Sequence, residues 1–151
     1  MTRFFFCCLM AGSLLMAAGC KDEDQGEIDR AIILNYIADN NLTAVEHESG
    51  IFHVITVPGS GGSPTLSSNV KVKYKGYLTD NVTFDETTGN NTIEFPLQNL
   101  IQGWQIAIPL LQKGGKGKFL IPSALGYGSN PPPGIPRNAV LVFDIELVDF
   151  I

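Results

Sequence analysis

Two stretches, of ten and eleven residues, alternate between apolar and polar side chains, and that period of two constrains the fold more than any other feature. In 69–78, Val70, Val72, Tyr74 and Leu78 share one face while Lys71, Lys73 and Lys75 share the other. In 140–150, Leu141, Phe143, Ile145 and Leu147 lie opposite Val142, Asp144, Glu146 and Val148. Successive strand side chains point to opposite faces, so each stretch predicts a half-buried strand of an antiparallel sheet.

Shorter runs supply the remaining strands. Residues 51–57 are rich in β-branched and aromatic side chains and end at Pro58 and a glycine- and serine-rich run to Ser63. Residues 92–95 and 116–121 read as two more strands. Between them, 100–108 is a brief apolar segment closed by Pro109, which predicts one buried helix of about two turns. A second, amphipathic helix is expected over 27–40, carrying Ile28, Ala31, Ile32, Ile33, Leu34 and Ile37, with Asn40-Asn41 as its stop. Such a helix is marginal alone in water and is expected to dock as a packing arm. The class is α+β, an antiparallel sheet wrapped on one short central helix.

The first nineteen residues belong to a different kind of segment. Arg3 precedes an apolar run from Phe4 to Gly19 that is shorter than the roughly 20 residues a bilayer span needs. This is the pattern of a signal peptide, and Ala17-Ala18-Gly19-Cys20 resembles a bacterial lipobox, with Ala17 where leucine is usual. The resemblance implies lipid attachment at Cys20 and a membrane anchor. Lys21-Asp22-Glu23-Asp24 forms a solvated tether and resembles a short signal that sends some bacterial lipoproteins to the cell surface. The expected organisation is a signal peptide 1–19, a lipidated cysteine and tether 20–26, a helical arm 27–48 and one domain 49–151. The expected location is the cell envelope, on the outer membrane, with the domain open to the cell exterior.

Composition excludes several function classes. Lysine and arginine number 10 against 15 acids, a net charge of −5, which argues against nucleic acid as a partner. The three cysteines, Cys7, Cys8 and Cys20, all precede the domain, leaving it no thiol for a disulfide, a metal or a nucleophile. The chain has no G-x-S-x-G, G-x-x-x-x-G-K-[ST] or G-x-G-x-x-G motif. His47 and His53 lack companions at metal-ligand spacing and read as surface or edge residues, while Asp144, Glu146 and Asp149 fit a solvated strand face. No metal and no cofactor is expected. What remains is a set of inward aromatics, Tyr74, Phe84, Trp104, Tyr127 and Phe143, with Asp85 directly after Phe84. An aromatic bowl with a few polar groups at its rim suits a hydrophobic ligand.

An ordered series of segments carries a family resemblance: 72–78 (VKYKGYL), Phe84-Asp85, Phe95-Pro96-Leu97, 100–104 (LIQGW), Ile121-Pro122, Tyr127-Gly128 and 141–147 (LVFDIEL). Together with Ser49-Gly50-Ile51 they resemble the FKBP family over roughly the last hundred residues. The resemblance implies a sheet of five or six strands curled around one short helix, with the ligand held between them. It places the catalytic pocket on Tyr74, Phe84, Asp85, Ile101, Trp104, Tyr127 and Phe143, with Trp104 as the floor. Ile93, Leu100 and Ile135 are expected to contact substrate, Ile93 standing where an aromatic wall is common. The short 86–91 loop and Pro131-Pro132-Pro133 depart from the pattern at the border of the pocket.

The implied activity is peptidyl-prolyl cis-trans isomerisation of exported or surface polypeptides, with a macrolide as a further ligand and a monomer as the expected state. Rotation about an amide faces a barrier of about 18–20 kcal/mol, yet no bond is made or cleaved, so the reaction needs neither nucleophile nor metal. Two other readings are open on sequence alone: a non-catalytic peptide-binding or chaperone module, and a surface interaction protein using the domain as a spacer. A prolyl isomerisation assay across peptides separates the three.

Overall fold

The computed structural model describes residues 24–151. The expected leader 1–19 and Cys20 lie outside the described residues. The chain opens with helix α1 (Gln25–Asp39), whose first turn is capped by the Asp24 carboxylate accepting from the Gly26 amide at 3.4 Å. It ends at Asn40, and Asn41 adopts φ 51°, a left-handed conformation that asparagine tolerates. Six longer strands and one short one follow: β1 (Val45–Glu46), β2 (Phe52–Val57), β3 (Asn69–Leu78), β4 (Thr83–Glu86), β5 (Ile93–Pro96), β6 (Lys116–Ile121) and β7 (Leu141–Phe150). Helix α2 (Gln102–Ala107) lies between β5 and β6 and runs into a 3₁₀ turn, Ile108–Leu110, where Pro109 ends α-helical bonding.

Every strand pairing is antiparallel, in the order β1-β2-β6-β7-β3-β4, with β5 also paired to β3. The two alternating ten-residue segments, β3 and β7, are neighbours at the centre of the sheet. Their register sets Tyr74 opposite Ile145, Gly76 opposite Phe143 and Leu78 opposite Leu141. A bulge between Lys71 and Val72 re-aims the strand, and the free edge of β3 is shared by β5 at one end and β4 at the other. The sheet thus has seven strands where five or six were expected. Beyond the five segments read as strands, the structure adds β1 and β4, only two and four residues long and too short to carry a periodic signal.

Both faces of the sheet are covered. On one, Val70, Val72, Tyr74, Phe143, Ile145 and Leu147 pack against Trp104, Ala107, Ile108 and Leu111 from α2 and its continuation. On the other, Ile33 and Tyr36 of α1 pack on Phe52, Tyr77, Leu120, Val140 and Val142. That second cluster explains why the nominally solvated side of β7 begins with valines. The arm is therefore docked on the sheet, and its last residues form β1 against β2. The buried stripe of α1 is Asp29, Ile33 and Tyr36, at i, i+4 and i+7, while Leu34 is exposed. Nothing in the apolar pattern pointed to Asp29 as buried.

Beyond the valines, the same sheet face is ion-paired. Lys116 faces Glu146 at 3.1 Å and Lys118 faces Asp144 at 2.6 Å across the β6–β7 register, and Lys113 meets Asp149 at 2.7 Å. His53 departs from the expected edge placement: it sits on β2 between β1 and β6, stacked on Phe119 at 6.4 Å, with Nδ1 buried and unpartnered. Burial, and then the charge of His47, lower its pKa. Among the described residues no helix is long and apolar enough to cross a membrane.

Candidate active site

A cavity of about 190 Å³ opens between α2 and the sheet, and each element contributes to its wall. Strand β3 supplies Tyr74, β4 supplies Phe84 and Asp85, β5 supplies Phe95, and β7 supplies Phe143. Leu100 and Ile101 come from the turn before α2, Trp104 from its first turn, and Tyr127 from the loop after β6. Alternation along β3 and β7 is what aims Tyr74 and Phe143 inward, since the intervening residues face the opposite side.

Trp104 is the hub, only 4% exposed. Its ring meets Tyr74 edge-on at 5.0 Å, Phe143 at 5.3 Å and Phe95 at 6.3 Å, with interplanar angles of 86°, 86° and 84°. Phe84 meets Phe143 in the same manner at 5.6 Å and 85°. Each edge-to-face pair contributes about 0.5–1.5 kcal/mol beyond its area burial, so the bowl is held in shape by mutual contact. Two glycines make the approach feasible. A Cβ on Gly76 would stand 2.7 Å from both Phe143 Cε1 and Phe84 Cε2, and one on Gly103 would stand 2.5 Å from Ile121 Cγ2. Gly76 lets the two rings close over β3, and Gly103 lets α2 settle on the end of β6.

The polar groups lie at the rim. Tyr74 Oη donates to Asp85 Oδ2 at 2.5 Å, and the Tyr74 backbone is bracketed by Thr87, whose Oγ1 accepts from its amide at 3.1 Å. Burial, and then the bond to Asp85, push the Tyr74 phenol far above its ordinary range, so it remains a donor at neutral pH. Tyr127 is 37% exposed, and burial followed by the charge of Asp85 raises its pKa too. Neither the Tyr127 hydroxyl nor the Ile101 amide donates to any group among the described residues.

Seven residues expected to form the pocket, Tyr74, Phe84, Asp85, Ile101, Trp104, Tyr127 and Phe143, line this one cavity together with Leu100. Two others expected to contact substrate are not among its lining residues. Ile93 is 38% exposed and outside the lining, and Ile135 is buried within the core cluster that includes Trp104. The wall assigned to Ile93 is Phe95, two residues on and on the same strand face, whose longer side chain carries its ring to 6.5 Å from Tyr74. Phe95 was legible as part of the Phe95-Pro96-Leu97 segment of the family resemblance and as a strand residue, yet only the packing of β5 on β3 shows that its ring reaches the bowl. A larger groove of about 420 Å³ crosses the other face of the sheet, but four lysines and two acids line it, Lys116 paired with Glu146 and Lys118 with Asp144. It is a solvated, ion-paired surface, and the smaller aromatic cavity is the one with the chemistry of a ligand site.

An antiparallel sheet wrapped on a short helix, with an aromatic cavity between them, defines the FKBP class of domain. The sequence profile of the family FKBP-type peptidyl-prolyl cis-trans isomerase matches residues 61–148, and the chain belongs to that family. Among curated relatives, it is 42% identical over 102 residues to the FKBP-type peptidyl-prolyl cis-trans isomerase FkpA of Aeromonas hydrophila, a match covering 67% of this chain and 38% of that protein. The Escherichia coli K12 protein of the same name is 41% identical over 102 residues, again covering 67% and 38%. The chain thus matches under two fifths of the length of these curated relatives. Among solved structures, FkpA from Escherichia coli superposes with a TM-score of 0.73 at 34% identity, covering 83% of this chain and 62% of that one. A peptidyl-prolyl cis-trans isomerase from Pseudomonas syringae superposes with a TM-score of 0.74 at 30% identity, covering 83% and 92%.

Proposed function

We infer that this protein accelerates rotation about Xaa-Pro bonds in polypeptides, with the proline seated on Trp104. The observation that carries the reading is the closed set of aromatic walls around that indole, in a chain of the isomerase family. A planar amide is stabilised by resonance and by solvation of its dipole, and both weaken as the bond twists. Moving the proline from water into a bowl of Tyr74, Phe84, Trp104 and Phe143 disfavours the planar, more polar state relative to the twisted one. Polar contacts at the rim hold the flanking chain: the Ile101 amide and the Tyr127 hydroxyl are free to donate to substrate carbonyls. Asp85, fixed by Tyr74, presents its carboxylate beside the twisting bond. A macrolide would enter the same bowl and compete with the peptide.

The test uses variants that change the rim and spare the packing. Tyr127→Phe removes a donor that has no partner among the described residues, so it is expected to lower kcat/KM about fivefold with an unchanged thermal midpoint. Asp85→Asn keeps an acceptor for Tyr74 while removing the charge. Asp85→Ala is less clean, because it orphans the buried phenol at a cost of about 1–3 kcal/mol. Wild-type kcat/KM in both Tyr127→Phe and Asp85→Asn would remove the rim from the mechanism.

The finer placement rests on sequence. The lipobox-like Ala17-Ala18-Gly19-Cys20 and the charged residues after it support a lipoprotein anchored in the envelope through Cys20, acting on exported chains. Intact mass of the protein from membranes is expected to show an acylated N-terminal Cys20. An unmodified Cys20 or cleavage at another position contradicts the anchor.

A further inference from the structure

We propose that Asp29 and Gln25 of α1 are positioning residues for the isomerase site, clamping both ends of the loop that presents Tyr127. Asp29 is an acidic side chain only 1% exposed, and no ion pair among the described residues accounts for it. Its carboxylate is spent on a segment 94 residues away: Oδ2 accepts from the Ser123 amide at 2.7 Å and from Ser123 Oγ at 2.6 Å. The carbonyl of Ser123 in turn accepts from the amides of Gly126 and Gly128, at 3.0 and 2.9 Å, the two residues flanking Tyr127. Four residues before Asp29 on the helix, Gln25 holds the other end. Its Nε2 donates to Asp29 Oδ1 at 2.8 Å and its Oε1 accepts from Asn138 Nδ2 at 3.1 Å, while the Asn138 amide donates to the Gly128 carbonyl at 2.8 Å.

A buried carboxylate costs free energy to desolvate, and replacing such a group by a packed apolar residue is often neutral or stabilising. What an apolar residue cannot do is fix the amide and hydroxyl of Ser123 in one direction. Gly126 and Gly128 give the Tyr127 segment little intrinsic stiffness, and φ at Gly128 is 55°. Fixing Ser123 therefore fixes the phenol at the rim, and α1, remote from the cavity lining, becomes part of what sets the geometry of the site. The proposal rests on the reading that Tyr127 holds a substrate carbonyl, and the experiment separates the two.

The full chain is compared as wild type, Asp29→Asn, Tyr127→Phe and the double variant, at a temperature where all are folded. Asp29→Asn keeps the shape and loses the charge that binds Ser123. It is expected to lower kcat/KM about fivefold, chiefly through KM, and to add nothing in the Tyr127→Phe background. A loss through destabilisation alone would multiply with that of Tyr127→Phe, so multiplicative losses, or wild-type kcat/KM in folded Asp29→Asn, overturn the proposal. Amide hydrogen exchange reads the clamp without reference to activity. Gly126 and Gly128 are expected to exchange about tenfold faster in Asp29→Asn while Phe143 and Ile145 are unchanged. Equal protection at Gly126 and Gly128 overturns the clamp. Faster exchange there together with full activity in Tyr127→Phe supports the clamp and rejects only the role of Tyr127. Should Asp29→Asn fail to fold, Ser123→Ala, which keeps the amide and loses the hydroxyl, is read by the same cycle and the same exchange pattern.

Discussion

Gly76→Ala turns a single methyl group into a test of how the bowl is built. A Cβ there would stand 2.7 Å from Phe143 Cε1, 2.7 Å from Phe84 Cε2 and 2.8 Å from Phe84 Cζ. Carbon atoms prefer about 3.5–4.0 Å, so the overlap with each ring approaches about 1 Å. The backbone cannot yield, because Gly76 is paired with Asp85 on one side and Phe143 on the other, in the central strand of the sheet. The rings must turn, giving up some of the edge-to-face contact at 5.6 Å. Overpacking costs about 1–3 kcal/mol and the partly lost aromatic pair about 1 more, together about 2–4 kcal/mol. For a chain of this size that is a fall of about 5–15 °C in the thermal midpoint. With two walls displaced, kcat/KM for a proline peptide is expected to fall by about tenfold or more. The sign is diagnostic: without a clash, replacing a strand glycine by alanine stabilises by about 0.4–1 kcal/mol through the unfolded chain. A folded Gly76→Ala protein with an unchanged or raised midpoint and wild-type kcat/KM would refute this packing argument. Adding Phe84→Leu is expected to restore part of the midpoint.

Other expectations follow from the same geometry. Phe143→Ala leaves a hole beside Trp104 and should cost about 3–5 kcal/mol in urea unfolding, whereas Lys73→Ala, on the ion-paired face, should stay within about 0.5 kcal/mol and keep full activity. Tyr74 retains its proton in the folded state to higher pH than its ordinary 10.0, because burial and the bond to Asp85 favour the neutral phenol. The stability this lends is fully present below that pH and is lost as pH rises above it, since the unfolded chain then releases a proton the folded chain still holds. Unfolding curves of Tyr74→Phe are therefore expected to fall less steeply than wild type above pH 10, and parallel curves would contradict the assignment. His53 carries the opposite sign: its lowered pKa means stability declines as pH falls below the ordinary 6.5, and His53→Phe should flatten that limb.

How much of this was legible in the chain depends on how local each cause is. Alternation in 69–78 and 140–150 specified the two central strands and the inward placement of Tyr74 and Phe143, because side-chain direction in a strand is set by neighbours in sequence. The ordered segments around Phe84-Asp85, Trp104 and Tyr127 located the bowl. What escaped was long-range. Phe95 displaced Ile93 as the wall because ring length and the β5–β3 register decide which side chain arrives. Val142 was placed on the face with Asp144 and Glu146, and only the docking of α1 shows that it and Val140 are buried there. Nothing in the helix pattern marked Asp29, because its partner lies on a turn 94 residues downstream. Gly76 appeared only within the 72–78 segment, and the reason for a glycine there is two rings from other strands.

The measurement closest to the central claim follows cis–trans exchange of a short Xaa-Pro peptide by NMR, with the full chain at catalytic concentration. Uncatalysed exchange takes tens of seconds or longer. The structure predicts exchange accelerated by about tenfold or more, lost on saturating the bowl with a competing proline peptide, with shift changes centred on Trp104, Tyr74 and Phe143. A folded protein that leaves the exchange rate at its uncatalysed value, or that accelerates it while the Trp104 indole resonance is unmoved by peptide, would contradict isomerisation in this cavity.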